Sequence, residues 1–291
     1  MFCQIKSYML EYILGDMMDN LKIKIVFFDI DGTLTNSNKV ISENTINTLN
    51  KLIERNIFIV LCSGRANSYI KQYLKQINKS KYSISNNGAL IYDNDLNKII
   101  ISHTLYSKDL EYLWNYSNDT KSGFIINTVN NKYSNNFVKN KEDKIIIDKL
   151  SDVKEDKVQL VISNGDINVM KELELYINNK TNLKVINKSL DYLNEIKDGY
   201  YFFDVVNKNV SKGNAINDLL KVLNINKKNS LCFGDSVNDI DMFKSVGISV
   251  AMGNAIEDLK NIADYITDTN DDDGISNFFD KYLEQKIKYN N

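Results

Sequence analysis

The sequence of 291 residues contains no proline, a single histidine and a single tryptophan. Without proline, its turns must be formed by glycine, asparagine and aspartate, which tolerate the backbone conformations that turns require. The single histidine, His103, excludes a metal site built from several histidines and disfavours a Ser-His-Asp triad. Any catalysis by this chain must therefore depend largely on carboxylates, lysine and a metal ion.

Cysteine is also scarce, since only Cys3, Cys62 and Cys232 are present and no CxxC spacing occurs. Free thiols in a reducing cytoplasm are expected rather than a disulfide or a zinc site. The formal net charge is −2, from 36 basic and 38 acidic residues, which does not favour binding to nucleic acid. No apolar run approaches the length of about 18 residues that predicts a membrane span. We therefore expect a cytoplasmic protein whose partners include neither nucleic acid nor membrane.

Short, continuous apolar runs predict buried strands. These runs are Ile25 to Phe28, Ile57 to Cys62, Ser230 to Phe233 and Val246 to Met252. Amphipathic helical patterns lie near 43–55 and 212–223, and another begins at Ile275. This alternation of strands and helices predicts an α/β fold whose core is a doubly wound, Rossmann-like parallel sheet.

The middle of the sequence has a different pattern, in which shorter alternating strands are interrupted by two helical segments. It predicts an α+β domain of residues 89–205, inserted between two parts of the core, 22–88 and 206–291. An Asn-Asn-Gly turn signal marks the first junction. Residues 1–21 are predicted to be an N-terminal extension, and they make a poor signal peptide because charged residues interrupt their apolar stretches.

Polar residues follow the apolar runs at the points where the predicted strands end. The first run ends in Asp29-Ile30-Asp31-Gly32-Thr33, the second in Ser63-Gly64-Arg65 and the third in Gly234-Asp235, with Asn238 and Asp239 shortly after. In a parallel sheet these strand ends lie at one edge, where open α/β folds bind their ligands. We therefore expect several carboxylates, one hydroxyl group and several glycines to converge there.

The candidate acidic residues are Asp29, Asp31, Asp235 and Asp239. An extended backbone points Asp29 and Asp31 to the same side, and a cation between them would relieve their repulsion. Mg²⁺ suits such a site, because it prefers a few carboxylates together with waters and phosphate oxygens. Four carboxylates, one Mg²⁺ and one lysine leave the site near neutrality, so that it accepts a phosphate. The alternatives are an ordinary Asp-x-Asp-Gly turn and helix capping by Asp235 and Asp239.

The candidate lysine is Lys212, which lies at the start of a predicted helix. The helix dipole disfavours a positive charge at that position, so a nearby anion is expected; the alternative is a solvated surface lysine. Ser63 and the backbone N–H groups beside Gly64 are candidates for holding phosphate oxygens. An N-cap serine is the alternative for Ser63.

Six segments, in this order, resemble the Cof-type phosphatases of the haloacid dehalogenase superfamily. They are FFDIDGTLTN (27–36), LCSGR (61–65), SNNGALIYD (85–93), VSKGNAI (210–216), FGDSVNDIDMF (233–243) and AMGNAIEDLKNIADYIT (251–267). The resemblance extends over roughly residues 22–284. It implies the core of that superfamily with a large inserted cap of type IIB.

The resemblance also implies a role for each candidate residue. Asp29 would be the nucleophile that forms an aspartyl-phosphate, and Asp31 would protonate the leaving oxygen and then activate water. Mg²⁺ would be bound by Asp29, the carbonyl of Asp31 and Asp235, with Asp239 supporting these ligands. The implied phosphate-binding residues are Ser63, Gly64, Lys212 and Asn238.

The implied reaction is hydrolysis of a small phosphorylated metabolite, such as a sugar phosphate, under a cap that excludes water. A phosphomutase would use the same Asp29 and return the phosphoryl group to a sugar. A non-catalytic binding or regulatory protein would be expected to have lost the nucleophile or a metal carboxylate, and here all of them are present. The leaving group is expected to contact the cap loops near 124–133 and 187–200.

Overall fold

The computed structural model describes residues 23–77, 80–105, 107–186 and 199–289. The chain folds into two compact units, one containing the chain up to Ile100 and from Ser211 onward, the other Ile101–Val210. The predicted extension of residues 1–21 and most of the predicted cap loop 187–200 lie outside the described residues.

The described residues of the two units form the following strands and helices, numbered in chain order. The strands are β1 (Ile25–Asp29), β2 (Phe58–Cys62), β3 (Tyr82–Ser85), β4 (Leu90–Asp93), β5 (Lys98–Ser102), β6 (Gly123–Thr128), β7 (Lys132–Ser134), β8 (Ile145–Ile146), β9 (Lys157–Asn164), β10 (Leu183–Ile186), β11 (Tyr201–Asn207), β12 (Ser230–Gly234), β13 (Ile248–Ala251) and β14 (Tyr265–Ile266). The helices are α1 (Glu43–Glu54), α2 (Asn67–Leu74), α3 (Ser107–Asp119), α4 (Ile167–Lys180), α5 (Lys212–Val222), α6 (Ile240–Ser245), α7 (Glu257–Ile262) and α8 (Gly274–Tyr289).

The sheet of the first unit has the strand order β14-β13-β12-β1-β2-β3-β4-β5. Neighbouring strands are parallel from β14 to β3, and β4 is antiparallel to β3. Every residue of the central strands β1 and β12 is buried, as expected for strands of a parallel sheet with both faces covered. The α/β class predicted from the continuous apolar runs is confirmed.

Local signals explain how the first helix is positioned between β1 and β2. Helix α1 follows Ser42, whose Oγ accepts a hydrogen bond from the backbone N–H of Thr45 at 3.1 Å and so caps the helix. Leu49 and Leu52 are buried on the inner face of the helix, and burial of such a side chain contributes about 1.5–3 kcal/mol. This packing returns the chain to the sheet in the direction that a parallel strand requires.

The second unit has a sheet with the order β10-β11-β9-β6-β7-β8, which is antiparallel except for the pair β7 and β8. Helices α3 and α4 contribute buried side chains to a core of its own, in which Trp114 meets Phe124 edge-on at 5.4 Å. The α+β character predicted for the middle of the chain is therefore observed.

The unit boundaries differ from the predicted ones, which lie after residues 88 and 205. Strand β4 belongs to the first sheet, because it pairs with β3 from Tyr82 opposite Asp93 to Ser85 opposite Leu90. The Asn-Asn-Gly turn therefore closes a hairpin within the first unit instead of marking the junction.

None of the helices in the described part of the chain is long and apolar enough to cross a membrane.

Candidate active site

The carboxyl ends of three neighbouring parallel strands bring the predicted residues together. Asp29 is the last residue of β1, which lies between β2 and β12. Ser63 follows β2 directly and Asp235 follows β12 directly. The register places Asp29 opposite Cys62 and Phe28 opposite Phe233, so the three strands end at the same level. The convergence expected at one edge of the sheet is observed.

Lys212 lies between two buried carboxylates. Its Nζ donates to Asp29 Oδ1 at 2.5 Å and to Asp239 Oδ1 at 2.7 Å. Side-chain exposure is 1% for Lys212, 8% for Asp29 and 0% for Asp239, so water contributes little to these contacts. The anion expected beside a lysine at a helix N-terminus is therefore supplied by both carboxylates.

Burial and neighbouring charges have opposite effects on the pKa values of Lys212 and Asp29. Burial lowers the pKa of Lys212, but the carboxylates of Asp239 and Asp29 outweigh it and hold that pKa above its ordinary value. Burial raises the pKa of Asp29, and the Lys212 ammonium opposes the rise. Lys212 is therefore a fixed positive charge, whereas Asp29 needs positive charge nearby to stay ionised.

Asp235 is held beside the loop that follows β1. Its Oδ1 accepts a hydrogen bond from Thr33 Oγ1 at 2.7 Å. Gly32 has φ +86°, and a Cβ there would lie 2.5 Å from Asp235 Oδ2, so this close approach requires glycine. Burial raises the pKa of Asp235 to about 6, although the hydrogen bond from Thr33 opposes the rise.

Asp239 accepts hydrogen bonds at both oxygens of its buried carboxylate. Besides Lys212, the backbone N–H groups of Asp235 and Ser236 donate to its Oδ2 at 3.0 and 3.1 Å. A carboxylate with both oxygens engaged in this way is a weaker candidate for direct metal binding. Its geometry suits the prediction that Asp239 supports the metal ligands without binding the metal itself, and its contacts hold Lys212 and the start of the Asp235 loop.

The residues present fit a divalent metal ion. Carboxylate oxygens of Asp29, Asp235 and Asp239 lie within 4.8 Å of one another and form an acidic grouping at the end of the strands. With Lys212 between them, three ionised carboxylates leave two net negative charges, which one Mg²⁺ neutralises. Oxygen ligands in this number also match the preference of Mg²⁺. Asp29 and Asp235 are the candidates for direct ligation.

The carboxylate of Asp31 points to a different set of partners. It accepts hydrogen bonds from Lys39 Nζ at 2.9 Å, Arg65 Nε at 3.0 Å and Tyr69 Oη at 2.9 Å. These three donors lower the pKa of Asp31 against the effect of burial, which raises it. The carboxylate lies outside the acidic grouping, because the extended backbone ends at Asp29 and residues after it form a turn. The carbonyl of Asp31 remains the predicted metal ligand.

The predicted phosphate-binding residues occupy different surroundings. Ser63 is 2% exposed, and its Oγ accepts a hydrogen bond from the backbone N–H of Arg65 at 3.1 Å. Gly64 lies against the side chain of Asn87. Asn238 is exposed, and its Oδ1 accepts a hydrogen bond from Ser236 Oγ at 2.7 Å.

Other residues of the site had no role assigned from the sequence. Lys39 and Tyr69 contact Asp31, and Asn254 and Asn270 donate to the carbonyls of Gly32 and Thr35 at 2.8 and 2.9 Å. Asn254 lies within the segment AMGNAIEDLKNIADYIT, so the sequence resemblance could have identified it as a site residue. No sequence pattern singles out Lys39, Tyr69 or Asn270, since their contacts form only when segments distant in the sequence lie close together in the fold.

Comparison with known proteins gives a consistent result. The family model for haloacid dehalogenase-like hydrolases matches residues 26–279. The chain is 27% identical to the 5-amino-6-(5-phospho-D-ribitylamino)uracil phosphatase of Bacillus subtilis, with 89% of this chain and 95% of that protein covered. It is 25% identical to the phosphoglycolate phosphatase of Sulfurisphaera tokodaii, over 91% and 99% of the two chains.

A solved structure shares the fold. The haloacid dehalogenase-like hydrolase from Bacteroides thetaiotaomicron superposes with a TM-score of 0.75 and 26% sequence identity, covering 89% of this chain and 99% of the other. The similarity therefore extends over both units of the chain.

Proposed function

Because the chain belongs to the haloacid dehalogenase-like hydrolases and is a phosphoric monoester hydrolase of that family, we propose that it removes phosphate from small phosphorylated metabolites with Asp29 as nucleophile. Membership confirms the resemblance predicted from the six segments. The observation that supports the proposal best is the buried contact of Lys212 with Asp29 and Asp239, with Asp235 beside it. This arrangement supports the proposal of Asp29 as nucleophile, Lys212 as a fixed cation and Asp29 with Asp235 as metal ligands, all at one edge of the sheet.

In the proposed reaction, an oxygen of Asp29 attacks phosphorus and the ester oxygen leaves with a proton. Lys212 donates a hydrogen bond to Oδ1 of Asp29. Within the described part of the chain, no side chain donates a hydrogen bond to Oδ2 of Asp29. We therefore take Oδ2 as the candidate attacking atom. The product of this step is an aspartyl-phosphate. Phosphoryl transfer needs mainly positioning and charge stabilisation, which a buried ammonium and a phosphate-binding loop supply.

Asp31 is proposed to transfer the protons. It protonates the leaving alcohol oxygen and then takes a proton from the water that attacks the aspartyl-phosphate, which releases phosphate and restores Asp29. In the free protein, Lys39, Arg65 and Tyr69 hold the Asp31 carboxylate ionised. Donation of a proton therefore requires that substrate binding changes these contacts.

Mg²⁺ is the proposed cofactor, and Asp29 and Asp235 would hold it together with the carbonyl of Asp31. When bound, it neutralises charge on the phosphate oxygens that face the carboxylates. Lys212 keeps its positive charge throughout, because its two carboxylate partners hold its pKa high.

The proposed substrate is a small phosphate ester such as a sugar phosphate. The two named relatives act on a phosphoribityl compound and on phosphoglycolate, at nearly equal identity to this chain. Both are phosphorylated small molecules, but they differ in the leaving group, so neither name transfers to this chain as its substrate.

The experiment that tests the proposal is measurement of phosphate release from a panel of phosphorylated sugars, polyols, hydroxy acids and nucleotides with Mg²⁺. We expect release from one chemical group and no need for a bisphosphate activator. Transfer of the phosphoryl group to a sugar, dependent on such an activator, would contradict hydrolysis and indicate a mutase. Release from none of the compounds would contradict the enzymatic proposal.

Removal of the metal is expected to abolish activity. Treatment with a chelator followed by desalting leaves the carboxylates without a counter-charge, and phosphate is then repelled. Mg²⁺ should restore activity, whereas Ca²⁺ should restore little, because its coordination is larger and looser. The measurement is initial rate against metal concentration, and full activity in excess chelator would contradict a metal-dependent mechanism.

A further inference from the structure

The turn that follows β3 has an unusual backbone. Asn86 and Asn87 have φ angles of 51° and 55°, in the left-handed region that residues with a side chain seldom adopt. Asparagine tolerates this region better than most residues, but two in succession still cost free energy. Such a conformation persists where the surrounding structure holds a side chain in a particular place.

The turn lies between the two elements that supply the predicted phosphate donors. The backbone N–H of Asn87 donates to the carbonyl of Ser63 at 3.1 Å, and that of Asn86 donates to the carbonyl of Arg65 at 2.9 Å. On its other side, the turn packs against α5, which begins with Lys212. Asn87 is therefore held beside the Ser63 loop and the start of the Lys212 helix.

The side-chain amide of Asn87 is buried and lacks a partner. Asn87 is 6% exposed, and its Nδ2 has no hydrogen-bond acceptor within the described part of the chain. The amide packs against the α-carbon of Gly64, where a Cβ would lie 2.8 Å from Oδ1 and 3.2 Å from Nδ2. Glycine at position 64 therefore leaves room for the amide. A buried donor without an acceptor destabilises the free protein, so an acceptor supplied by a ligand is the natural explanation.

We propose that Nδ2 of Asn87 donates a hydrogen bond to a phosphate oxygen of the bound substrate, beside Ser63, the N–H of Gly64 and Lys212. This inference rests on the proposed phosphatase function and adds a fifth candidate donor to the four phosphate-binding residues predicted from the sequence. A phosphate oxygen is the ligand of choice, because the neighbouring groups are a hydroxyl, a backbone N–H and an ammonium, all of which can donate.

Two variants test this role without disturbing the turn. Glycine adopts the left-handed region freely and aspartate tolerates it, so Asn87→Gly and Asn87→Asp both keep the backbone accessible. We expect the dissociation constant of orthophosphate for the Mg²⁺-loaded protein, measured by titration calorimetry, to rise about tenfold to a hundredfold in Asn87→Gly. Asn87→Asp should bind orthophosphate more weakly still, because it replaces a donor with a negative charge. In both variants kcat/KM should fall in parallel.

Ser85→Ala provides the matched control. Ser85 is also fully buried, and its Oγ likewise has no partner among the residues that are described, but it lies in β3 instead of beside Gly64. Orthophosphate affinity should be unchanged in Ser85→Ala. An affinity within about twofold of wild type in Asn87→Gly would overturn the proposal, and a fall in melting temperature alone would then assign Asn87 a structural role. Wild-type protein that neither binds orthophosphate nor releases it from any ester would overturn the proposed function as well.

Discussion

The Asn variant of the proposed nucleophile, Asp29→Asn, is expected to lose turnover by on the order of 10⁴-fold or more while keeping its fold. Asparagine is nearly isosteric with aspartate, but its amide is a poor nucleophile and a weaker metal ligand. The expected loss is in kcat, because no covalent intermediate forms. The measurement is phosphate release under single-turnover conditions, together with the thermal unfolding curve.

Two further variants make this result specific. Asp280→Asn changes an exposed aspartate of α8 and should leave turnover unchanged. Asp31→Asn retains the nucleophile, so with an ester of a good leaving group it should release the alcohol once and then stall as the aspartyl-phosphate. Substantial steady-state turnover in Asp29→Asn would exclude Asp29 as the nucleophile, whatever the behaviour of the others.

Replacement of Lys212 by methionine is expected to have the largest effect on stability. The change removes the ammonium from between Asp29 and Asp239, which are both buried. Removing one partner from a buried ionic group costs about 3–5 kcal/mol, because the remaining charges are left without compensation. The free energy of unfolding, measured by denaturant titration at neutral pH without metal, should fall by this amount.

Lys221→Met is the matched control, because Lys221 is 79% exposed and lies 3.6 Å from Asp218 on the surface of α5. It should change the free energy of unfolding very little. Mg²⁺ should stabilise Lys212→Met more than the wild type, since the metal then replaces the positive charge that the carboxylates have lost. Equal stability of the two methionine variants would contradict the electrostatic role assigned to Lys212.

Much of the site could be predicted because strand ends of a parallel sheet share an edge. Asp29, Ser63 and Asp235 each follow an apolar run directly, so their convergence needs only the correct class of sheet. Lys212 was predicted to lie near an anion from its position at a helix N-terminus, and Asp29 and Asp239 are within hydrogen-bond distance of it.

Other features could not be predicted, because they depend on where loops go after the strands end. The turn that follows Asp29 carries the Asp31 carboxylate to Lys39, Arg65 and Tyr69, away from the acidic grouping. The pairing of β4 with β3 could not be predicted, since the same Asn-Asn-Gly pattern is expected in a hairpin turn and at a domain junction.

The sequence by itself determined the α/β class and the family, and it predicted the residues that we propose for the chemistry. Apolar runs, helical periodicity and six ordered segments are local properties, and each can be read without coordinates. Only the tertiary structure decided which carboxylates share Lys212, which partners hold Asp31 and where the buried amide of Asn87 lies. The physical reason is that burial and hydrogen-bond pairing depend on residues that are far apart in the chain. No local sequence pattern shows which of these residues come into contact.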